Sequence, residues 1–552
     1  MPIDVENFRN RRNDDRWNRM SVGDIIERMT WNEPDKLALI MTPDCTVNPR
    51  YARVTYREAN RLINKIAHAL LALDLPPAAR VALMCDNSNE AWLSKIAIAK
   101  AGLVAAPINV MMAPDVIADT LAHVEANVAI VDQAQWTKLG AQLGATGIRP
   151  IMAIGTDEDY GIPGFDAFIE DHSESEPDVT IHADDIWEIL FTSGTTARPK
   201  AVMISHAYSY TTCYSHLLSF TRGLDHESEL RHATFTPMIY HIGDHTCMLA
   251  PLLAGGTAIV GRKPEGREMA ETITRERVTC LFGGSPQFVE SLIGAVHESP
   301  FAYDLNSLTV MYFGWAPLPP GTLAAFRRLC GPRLKVYEII GQTEAVACHR
   351  FYIDRHPEMY LREAPAVNHV GKPSPIMSAT VFDEDGNDLR GQPGVPGEAV
   401  YRSPAMFSGY YRDQAATEEA FRGGWFHSGD SFVYHDDEIR LMVDRYKDIV
   451  KSGGENVSSI RVEAVLQQHP QVARAAVVGI PDDRWGEAVT ACIIPAQAGA
   501  VEVDEQAIIA FARERLAGFE TPKRIVVVDE FPTTVGGKIL KYKLREALTA
   551  KP

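Results

Sequence analysis

Cysteine is scarce and scattered in this sequence. The eight cysteines include no Cys-x-x-Cys pair, so neither the paired thiolates of a zinc site nor the spacing of a disulfide framework is present. Disulfides persist in oxidising compartments, whereas isolated thiols are typical of a reducing one. We therefore expect a cytoplasmic protein.

Long apolar runs are also missing. No segment approaches the roughly 18 consecutive apolar residues that a membrane-spanning helix needs. The segment 1–20 mixes Asp, Glu and Arg without an apolar stretch, which is unlike a signal peptide. We expect no signal peptide, no anchor and no integral membrane contact.

Positive charge is in deficit. The chain has 54 Lys and Arg residues against 72 Asp and Glu residues, and its formal net charge is −18. The phosphate backbone of a nucleic acid would repel such a chain, so nucleic acid is not an expected partner. An anionic substrate would have to be met by a local cluster of cations.

The chain is long enough for several folded units. Its 552 residues exceed the ~250 to 300 at which a single core stops growing. Apolar runs alternate with helical patterns from Val54 to Ile154 and again from Ile186 past Val336, which predicts parallel strands joined by crossover helices. After Met377, short apolar runs broken by Asp-Gly and other glycine turns predict a distorted antiparallel unit.

A compact tail follows, in which two helical patterns alternate with three short apolar runs. The predicted fold class is therefore α/β with α+β. A large N-terminal domain, residues 1–446, would hold mainly parallel α/β subdomains and the distorted β unit. A small mobile α+β domain, residues 447–552, would complete the chain.

Five polar or glycine-rich motifs occur along the chain. In order, they are 192–200 (TSGTTARPK), 341–344 (GQTE), 424–430 (GWFHSGD), 444–448 (DRYKD) and 532–538 (PTTVGGK). The first offers hydroxyls, backbone N–H groups and an ammonium to a polyphosphate, and the last delivers a lysine on a glycine turn. The motif at 192–200 is not a Walker loop, because Pro199 precedes Lys200 and Ala201 follows it. Each motif alone is more often a surface turn, but together they indicate ATP chemistry.

The order of these motifs resembles that of the adenylate-forming superfamily, which includes acyl-CoA synthetases, luciferases and peptide-synthetase adenylation domains. The acyl-CoA synthetases are the most similar, and the resemblance extends from about Val54 to Leu544. It implies that ATP and a small-molecule carboxylic acid form an acyl-adenylate and pyrophosphate, and that CoA then accepts the acyl group and releases AMP. The resemblance implies ATP and CoA as substrates and Mg²⁺ as the cofactor. Whether the protein forms a homodimer stays an open question.

The resemblance also implies a nucleotide site. Lys538, Thr343 and Glu344 would be catalytic, and Glu344 would hold Mg²⁺ because a hard cation prefers carboxylate oxygen. The implied ATP and AMP contacts are Thr192, Ser193, Gly194, Thr195, Thr196, Lys200, Gly314, Trp315, Ala316, Ile340, Gly341, Asp430 and Arg445. Ala197 and Ala201 replace the usual glycines, and Ile340 replaces an aromatic residue that stacks on adenine.

Further residues are implied for the acid and the thiol. The acyl pocket would be Tyr240, His241, Gly283, Gly284, Trp315 and Val346, the CoA path Ser452, Gly453 and Gly454, and the hinge Lys447. The mostly apolar pocket predicts a hydrophobic acid of the fatty, aryl or steroid-side-chain type, although Asp244 keeps an amino acid open. Trp315 would shorten the acyl pocket, stack on adenine or pack in the core, and His241 is equally explained as a hydrogen-bonded core histidine.

Two alternatives to an acyl-CoA synthetase remain. A stand-alone adenylation enzyme that loads a carrier protein would present the same motifs, because a phosphopantetheine arm is chemically like CoA. An inactive nucleotide-binding scaffold is suggested by Ala197, Ala201 and Ile340. The retained Lys538 and Glu344, together with Asp430, argue against the scaffold.

Overall fold

Three β-sheets organise the part of the chain that the structure describes. The computed structural model describes residues 19–549 apart from residues 111, 113, 156–160, 193–198, 315, 366, 436–437, 446–447, 453–454, 483, 497–502 and 534–538. No helix within these described ranges is long and apolar enough to cross a bilayer.

The strands of the described residues are numbered in chain order. They are β1 Leu37–Met41, β2 Arg53–Thr55, β3 Arg80–Met84, β4 Val104–Pro107, β5 Val128–Asp132, β6 Arg149–Ile154, β7 Ile186–Phe191, β8 Ala201–Ser205, β9 Arg231–Thr234, β10 Thr257–Val260, β11 Cys280–Gly284, β12 Val310–Phe313, β13 Lys335–Gln342, β14 Ala345–Tyr352, β15 Asn368–Pro373, β16 Ser378–Phe382, β17 Gly397–Arg402, β18 Phe426–Tyr434, β19 Arg440–Arg445, β20 Val450–Ser452, β21 Glu455–Val457, β22 Val472–Asp482, β23 Gly486–Pro495 and β24 Arg524–Val527.

The helices connect these strands. They are α1 Ile25–Asn32, α2 Tyr56–Leu71, α3 Asn89–Lys100, α4 Pro114–His123, α5 Gln133–Thr146, α6 Phe165–Ile169, α7 His206–Phe220, α8 Ala250–Leu253, α9 Gly266–Glu276, α10 Pro286–Glu298, α11 Pro320–Leu329, α12 Pro357–Glu363, α13 Gln414–Ala420, α14 Ser459–Leu466, α15 Glu505–Arg513 and α16 Lys541–Thr549. A π-helix, Ile242–Leu249, leads directly into α8.

Local sequence explains where helix α2 begins. Thr55 and Glu58 form a capping box, in which the Thr55 hydroxyl accepts the Glu58 N–H and the Glu58 carboxylate accepts the Thr55 N–H. Capping satisfies N–H groups that have no partner inside the helix. Leu62, Ile63 and Ile66 then lie on the buried face of the helix.

The six-stranded sheet has the order β6-β5-β3-β4-β7-β8. Neighbouring strands from β6 to β7 are parallel, and β7 pairs with β8 in an antiparallel hairpin. This arrangement confirms the parallel strands predicted from the first alternating segment. It also places the phosphate-loop motif, residues 192–200, between the last two strands of the sheet.

The thirteen-stranded sheet has the order β16-β17-β18-β19-β15-β14-β13-β12-β11-β9-β10-β1-β2. In this spatial order, the neighbouring strands β13, β12, β11, β9, β10 and β1 are parallel. The neighbouring strands β13, β14, β15, β19, β18, β17 and β16 are antiparallel. The predicted antiparallel unit after Met377 is thus the far end of this sheet. Ligands bind beyond the carboxyl ends of strands in open parallel sheets, and here β11, β12 and β13 end at Gly284, Phe313 and Gln342.

The five-stranded sheet forms the predicted α+β tail. Strands β21, β20, β23 and β22 are antiparallel, and β24 adds to β23 in parallel. Buried Val462 and Leu466 of α14, Val477 of β22 and Ile508 of α15 share one apolar core. Strand β19 contacts this unit, because the Ser459 N–H donates to the Asp444 carboxylate at 2.8 Å. The boundary predicted at residue 447 stays a prediction.

Several histidines are buried in these sheets and the helices that cover them. His206, His216, His232, His245 and His349 are each at most 2% exposed. Burial lowers the pKa of His206 and His232 to about 3 and that of His245 to about 4, and it also lowers the pKa of His216 and His349. Removing a charged imidazolium from water is costly, so these rings are neutral in the folded chain.

Candidate active site

The turn between β13 and β14 presents two predicted catalytic residues. Thr343 and Glu344 are the only residues between these antiparallel strands, so the connection is a two-residue hairpin. Gly341, just before it, packs so tightly that an added Cβ would overlap the Val346 carbonyl oxygen. Both loop residues are therefore held in one place by the register of the hairpin.

Two side chains hold Thr343. The Tyr208 hydroxyl of α7 donates to the Thr343 carbonyl oxygen at 2.9 Å, and His241 Nδ1 lies 3.1 Å from Thr343 Oγ1. Burial lowers the pKa of His241 to about 3, so this imidazole is neutral at physiological pH. The structure thus brings together His241, predicted for the acyl pocket, and Thr343, predicted for catalysis.

Glu344 is joined to Lys200 through a tyrosine. The Tyr410 hydroxyl donates to Glu344 Oε1 at 2.9 Å, and Lys200 Nζ lies 4.3 Å from the centre of the Tyr410 ring. Burial raises the pKa of Tyr410, and the Glu344 carboxylate raises it further, so the hydroxyl stays protonated. Sequence analysis missed Tyr410, and its local signal is the preceding Gly409, whose φ of 121° lies in a region that favours glycine.

The ends of the phosphate-loop motif meet at the mouth of the β7–β8 hairpin. The Thr192 N–H donates to the Lys200 carbonyl oxygen at 3.1 Å, and the Lys200 N–H donates to Thr192 Oγ1 at 3.4 Å. Ala201 pairs with Phe191 in extended β8, a conformation that alanine adopts freely. Its replacement of glycine therefore causes no backbone strain. Residues 193–198 of this motif lie outside the described part of the chain, and among them are the predicted contacts Ser193, Gly194, Thr195 and Thr196 as well as Ala197.

Asp430 and Arg445 lie at paired backbone positions on adjacent strands. They are directly paired in β18 and β19, as the resemblance implies for two residues of one nucleotide site. Asp430 is buried, and its N–H donates to Ser428 Oγ at 3.1 Å. Gln342 Nε2 lies 3.4 Å from the Ser428 carbonyl oxygen, so the Asp430 strand is linked to the Thr343–Glu344 hairpin. For Arg445, the pairing with Asp430 concerns the backbone position only.

Three of the predicted acyl-pocket residues, Gly283, Gly284 and Val346, lie at the same edge of the large sheet. Gly283 and Gly284 end β11, and the Gly314 N–H after β12 donates to the Gly284 carbonyl oxygen at 3.1 Å. Val346 is buried on β14. The Tyr240 hydroxyl is buried and has no hydrogen-bond partner among the described residues, and burial raises its pKa to about 12.

Two residues predicted for the nucleotide site lie at this edge as well. Ile340 of β13 is half-buried and pairs with His349 of β14, and half-buried Ala316 follows β12. An aliphatic side chain at position 340 offers an apolar contact to adenine but no ring for stacking. Position 340 thus lacks the aromatic ring that the resemblance implies for stacking on adenine.

Comparison with known proteins bears on this arrangement. The family model described as "AMP-binding enzyme" matches residues 27–411, more than half of the chain, and "AMP-binding enzyme C-terminal domain" matches residues 461–538. The chain belongs to the AMP-binding enzyme family. Residues 192–200 and the Thr343–Glu344 hairpin lie in the first match, and Lys538 ends the second.

Relatives of this AMP-binding enzyme span nearly its whole length. It is 31% identical over 506 residues to a feruloyl-CoA synthase of Amycolatopsis sp, which covers 92% of this chain and 96% of the relative. It is 30% identical over 522 residues to the long-chain-fatty-acid–CoA ligase FadD13 of Mycobacterium tuberculosis (strain ATCC 25618 / H37Rv), with 92% and 97% covered. The solved structure of the anthranilate CoA ligase AuaEII with anthranoyl-AMP superimposes with a TM-score of 0.81 at 25% identity, covering 96% of this chain and 97% of that one.

These matches confirm the fold class and an AMP-forming acid–thiol ligase, for which ATP, Mg²⁺ and CoA are the cofactors and substrates. The site of this AMP-binding enzyme has the donors that Mg²⁺ prefers. Glu344 is 6% exposed and follows Thr343 in the two-residue loop, so a carboxylate and a hydroxyl come from consecutive residues. Lys200 supplies positive charge over the face of the Tyr410 ring.

Other predicted residues of the AMP-binding enzyme are not among those that the structure describes. Lys538, Trp315, Lys447, Gly453 and Gly454 lie outside the described ranges, so their roles stay predictions. Ser452, predicted for the CoA path, is buried in strand β20.

Proposed function

We propose that this enzyme converts a hydrophobic carboxylic acid, ATP and CoA into acyl-CoA, AMP and pyrophosphate. One observation carries the proposal: the Thr343–Glu344 hairpin lies between His241 of the predicted acyl pocket and the Lys200–Tyr410 pair of the phosphate loop. An acid and a polyphosphate could therefore meet at this loop. The bond to be made is between these two substrates.

In the first half-reaction, a carboxylate oxygen attacks the α-phosphorus and pyrophosphate leaves with the electrons of the broken P–O bond. Every reactant is anionic, so positive charge and hydrogen-bond donors must be in place before reaction. We assign Lys200 to the phosphates, Thr343 to the α-phosphate and Glu344 to holding Mg²⁺. Mg²⁺ would neutralise charge on the phosphate oxygens. Lys538 is proposed to bridge the carboxylate and the α-phosphate.

In the second half-reaction, the CoA sulfur attacks the acyl carbonyl carbon and AMP leaves. We propose that the small domain, residues 447–552, turns about Lys447 between the two steps. The thiol would then pass along Ser452, Gly453 and Gly454. A hinge concentrates the change of φ and ψ at a few residues, and the predicted hinge lies between β19 of the large sheet and β20 of the small sheet.

Two observations support a hydrophobic acid. Val346 is buried and apolar, and Gly283 and Gly284 at the end of β11 add no polar side chain. Asp244, which kept an amino acid substrate open, forms a buried ion pair with Lys95 at 2.8 Å. It is therefore engaged inside the protein rather than available to a substrate ammonium. The names of the relatives, feruloyl-CoA synthase and long-chain-fatty-acid–CoA ligase, favour aryl and fatty acids.

The location proposed for the enzyme is the cytoplasm. All eight cysteines are free, and seven of them are buried. Buried thiols without disulfide partners suit a reducing compartment.

A panel of acids tests the proposed function. We expect CoA-dependent AMP release with straight-chain fatty acids or hydroxycinnamic acids and none with amino acids. Glu344→Gln should lower that release ~100-fold, because it removes a charged metal ligand. AMP formation is measured by chromatography with and without CoA, and Glu358→Gln on exposed α12 serves as the control variant.

Release of AMP that requires a phosphopantetheine carrier protein, with free CoA inactive, would favour the carrier-loading alternative. No AMP or pyrophosphate release with any acid would favour the inactive scaffold. Wild-type activity in Glu344→Gln would remove Glu344 from the proposed site and leave the rest of the proposal standing.

We propose that the Asp430 carboxylate accepts hydrogen bonds from the ribose hydroxyls of ATP, and this contact gives a separate prediction. Asp430→Ala should raise the KM for ATP ~10-fold or more and leave the ranking of acids unchanged, because a hydrogen-bonded charged group is worth ~1.5 to 3 kcal/mol and the ribose lies away from the acyl pocket. Steady-state kinetics with three acids measure both quantities. The exposed Asp413, which caps α13, offers Asp413→Ala as a control. A reordered acid ranking in Asp430→Ala would contradict the placement of the ribose.

A further inference from the structure

A buried cluster of charged side chains lies behind the hairpin and takes no part in the reaction proposed above. It consists of Lys95 of α3, Glu188 of β7, and Asp244 and His245 of the π-helix, and we name it the Lys95 cluster. None of the four side chains has exposed surface. The Lys95 ammonium pairs with the Glu188 carboxylate and lies 2.8 Å from Asp244 Oδ2, and His245 Nε2 lies 3.7 Å from Glu188 Oε2.

Such a cluster is a weak source of stability. Removing each charge from water costs several kcal/mol, and a neutral replacement is often as stable. Burial lowers the pKa of His245 to about 4, so its ring is neutral and Lys95 is the cation that faces the Glu188 and Asp244 carboxyl groups. Burial raises the pKa of Glu188, and Asp244 raises it too, although Lys95 opposes them. Glu188, Asp244 and His245 have the donor atoms of a metal site, but the Lys95 ammonium already lies against both carboxylates.

The cluster holds the segment that carries His241. Lys95 Nζ lies 3.5 Å from the Met238 carbonyl oxygen in addition to its ion pair with Asp244. Met238 and Asp244 stand on either side of His241 in the chain, so one ammonium fixes both ends of this segment. The Asp244 N–H also donates to the Tyr240 carbonyl oxygen at 3.0 Å. The position of His241 beside Thr343 thus depends on Lys95.

The cluster also borders the second residue that holds Thr343. His245 Nε2 lies 2.9 Å from Ser209 Oγ, which in turn accepts the Trp187 Nε1–H at 2.8 Å. The ring of Tyr208, the neighbour of Ser209, is edge-on to the His245 ring with 5.8 Å between centres. Tyr208 is the residue whose hydroxyl donates to the Thr343 carbonyl. The two residues that contact Thr343, His241 and Tyr208, are therefore both next to the Lys95 cluster.

We propose that the Lys95 cluster positions the adenylation site, holding His241 and Tyr208 against Thr343 and tying both to β7, the strand that leads into the phosphate loop. Its members are positioning residues, since the contacts they make are to other side chains and to backbone. The inference rests on the adenylation reaction proposed above. It names which residues of this chain set the geometry of that reaction.

A charge-free cluster provides the test. The combined variant Lys95→Met, Glu188→Gln and Asp244→Asn keeps the side-chain shapes close to those of the wild type and removes every charge. Because neutral groups replace buried ion pairs at little cost in stability, we expect a folded protein with a Tm near that of the wild type. A displacement of reacting groups by about 1 Å can cost ~100-fold in rate, so kcat for acyl-adenylate formation should fall ~10- to 100-fold. The KM for ATP should change less than ~3-fold.

A mutant cycle with His241→Ala separates positioning from a general loss of structure. If the Lys95 cluster acts through His241, the combined variant should lower kcat by less than ~3-fold in the His241→Ala background, because coupled sites are not additive. Pyrophosphate release at saturating ATP measures kcat in all four proteins. Wild-type kcat in the combined variant, or full multiplication of the two effects, would overturn the proposal.

The same helix supplies a matched control. Lys100 of α3 is also buried and pairs with Glu176, with its ammonium 3.0 Å from Asn60 Oδ1, in a contact that involves none of the site residues. Lys100→Met with Glu176→Gln should leave kcat unchanged. If the charge-free variant does not fold, Glu188→Gln alone, which replaces one of the two carboxyl groups that contact Lys95, enters the same cycle with the same expected coupling.

The outcomes for the two proposals are distinguishable. A wild-type enzyme that forms no acyl-adenylate with any acid rejects the proposed function. An active wild type whose charge-free variant keeps full kcat, or whose cycle shows no coupling to His241→Ala, rejects only the positioning role of the Lys95 cluster.

Discussion

Lys538→Ala should lower the rate of acyl-adenylate formation by ~100-fold or more, the scale of losing one preorganised donor in a site that excludes water. Thioester formation from supplied acyl-adenylate should keep most of its rate. The reason is that the lysine charge is proposed to act on the carboxylate and the α-phosphate, which react only in the first step. Pyrophosphate release measures the first step, and acyl-CoA formation from synthetic acyl-adenylate measures the second.

The control for this prediction is Lys543→Ala. Lys543 is exposed on α16, five residues further along the chain. Its substitution by alanine also removes one positive charge. It should leave both rates unchanged. An equal loss of both rates in Lys538→Ala would contradict the assignment, because it would mean that the lysine serves folding or binding in general.

The enzyme should lose stability steeply as the pH falls from 7 towards 5. The folded-state pKa of the buried histidines is lowered, to about 3 for His206 and His232. An unfolded histidine titrates near 6.5, so below that pH the unfolded chain binds more protons and unfolding becomes more favourable. At pH 5, each such histidine should cost ~2 kcal/mol of stability, from 1.36 kcal/mol per unit over the interval from 6.5 to 5.

Urea denaturation at several pH values between 5 and 7.5 measures this loss. His206→Asn should reduce the pH dependence by close to one proton, and its side-chain oxygen can replace His206 Nδ1 as the acceptor of the Val22 N–H. His182→Asn, at an exposed position, should leave the pH dependence as in the wild type. Equal pH dependence in the wild type and His206→Asn would show that His206 has the same pKa in the folded and unfolded chains and would contradict the prediction.

Sequence patterns predicted much of this fold because they are local. The strands at 81–84 and 128–131 are short apolar runs, and the parallel order follows from the helices between them. The sequence identifies the motif at 341–344 but not its conformation. The structure shows that Thr343 and Glu344 form the whole loop of a hairpin. That hairpin is also local, since its strands are adjacent in the chain.

Contacts between distant segments could not be predicted in this way. Tyr410 meets Glu344 from 66 residues away, and its own neighbourhood is an ordinary aromatic run. Lys95 sits in a helix that is buried along its full length, where a pattern of charges gives no amphipathic signal. A buried lysine must have acidic partners, but sequence alone does not show that Glu188 and Asp244 supply them.

The two-residue hairpin of β13 and β14 bears on how this enzyme can be altered. A loop with no spare residue cannot take an insertion without shifting the register, and a shift by one residue turns each side chain to the opposite face. Gly341 is equally fixed, because any side chain there would overlap the Val346 carbonyl oxygen. Libraries aimed at new acids should therefore keep 341–344 constant and vary the side chain of Val346 and its neighbours, where the backbone is already determined.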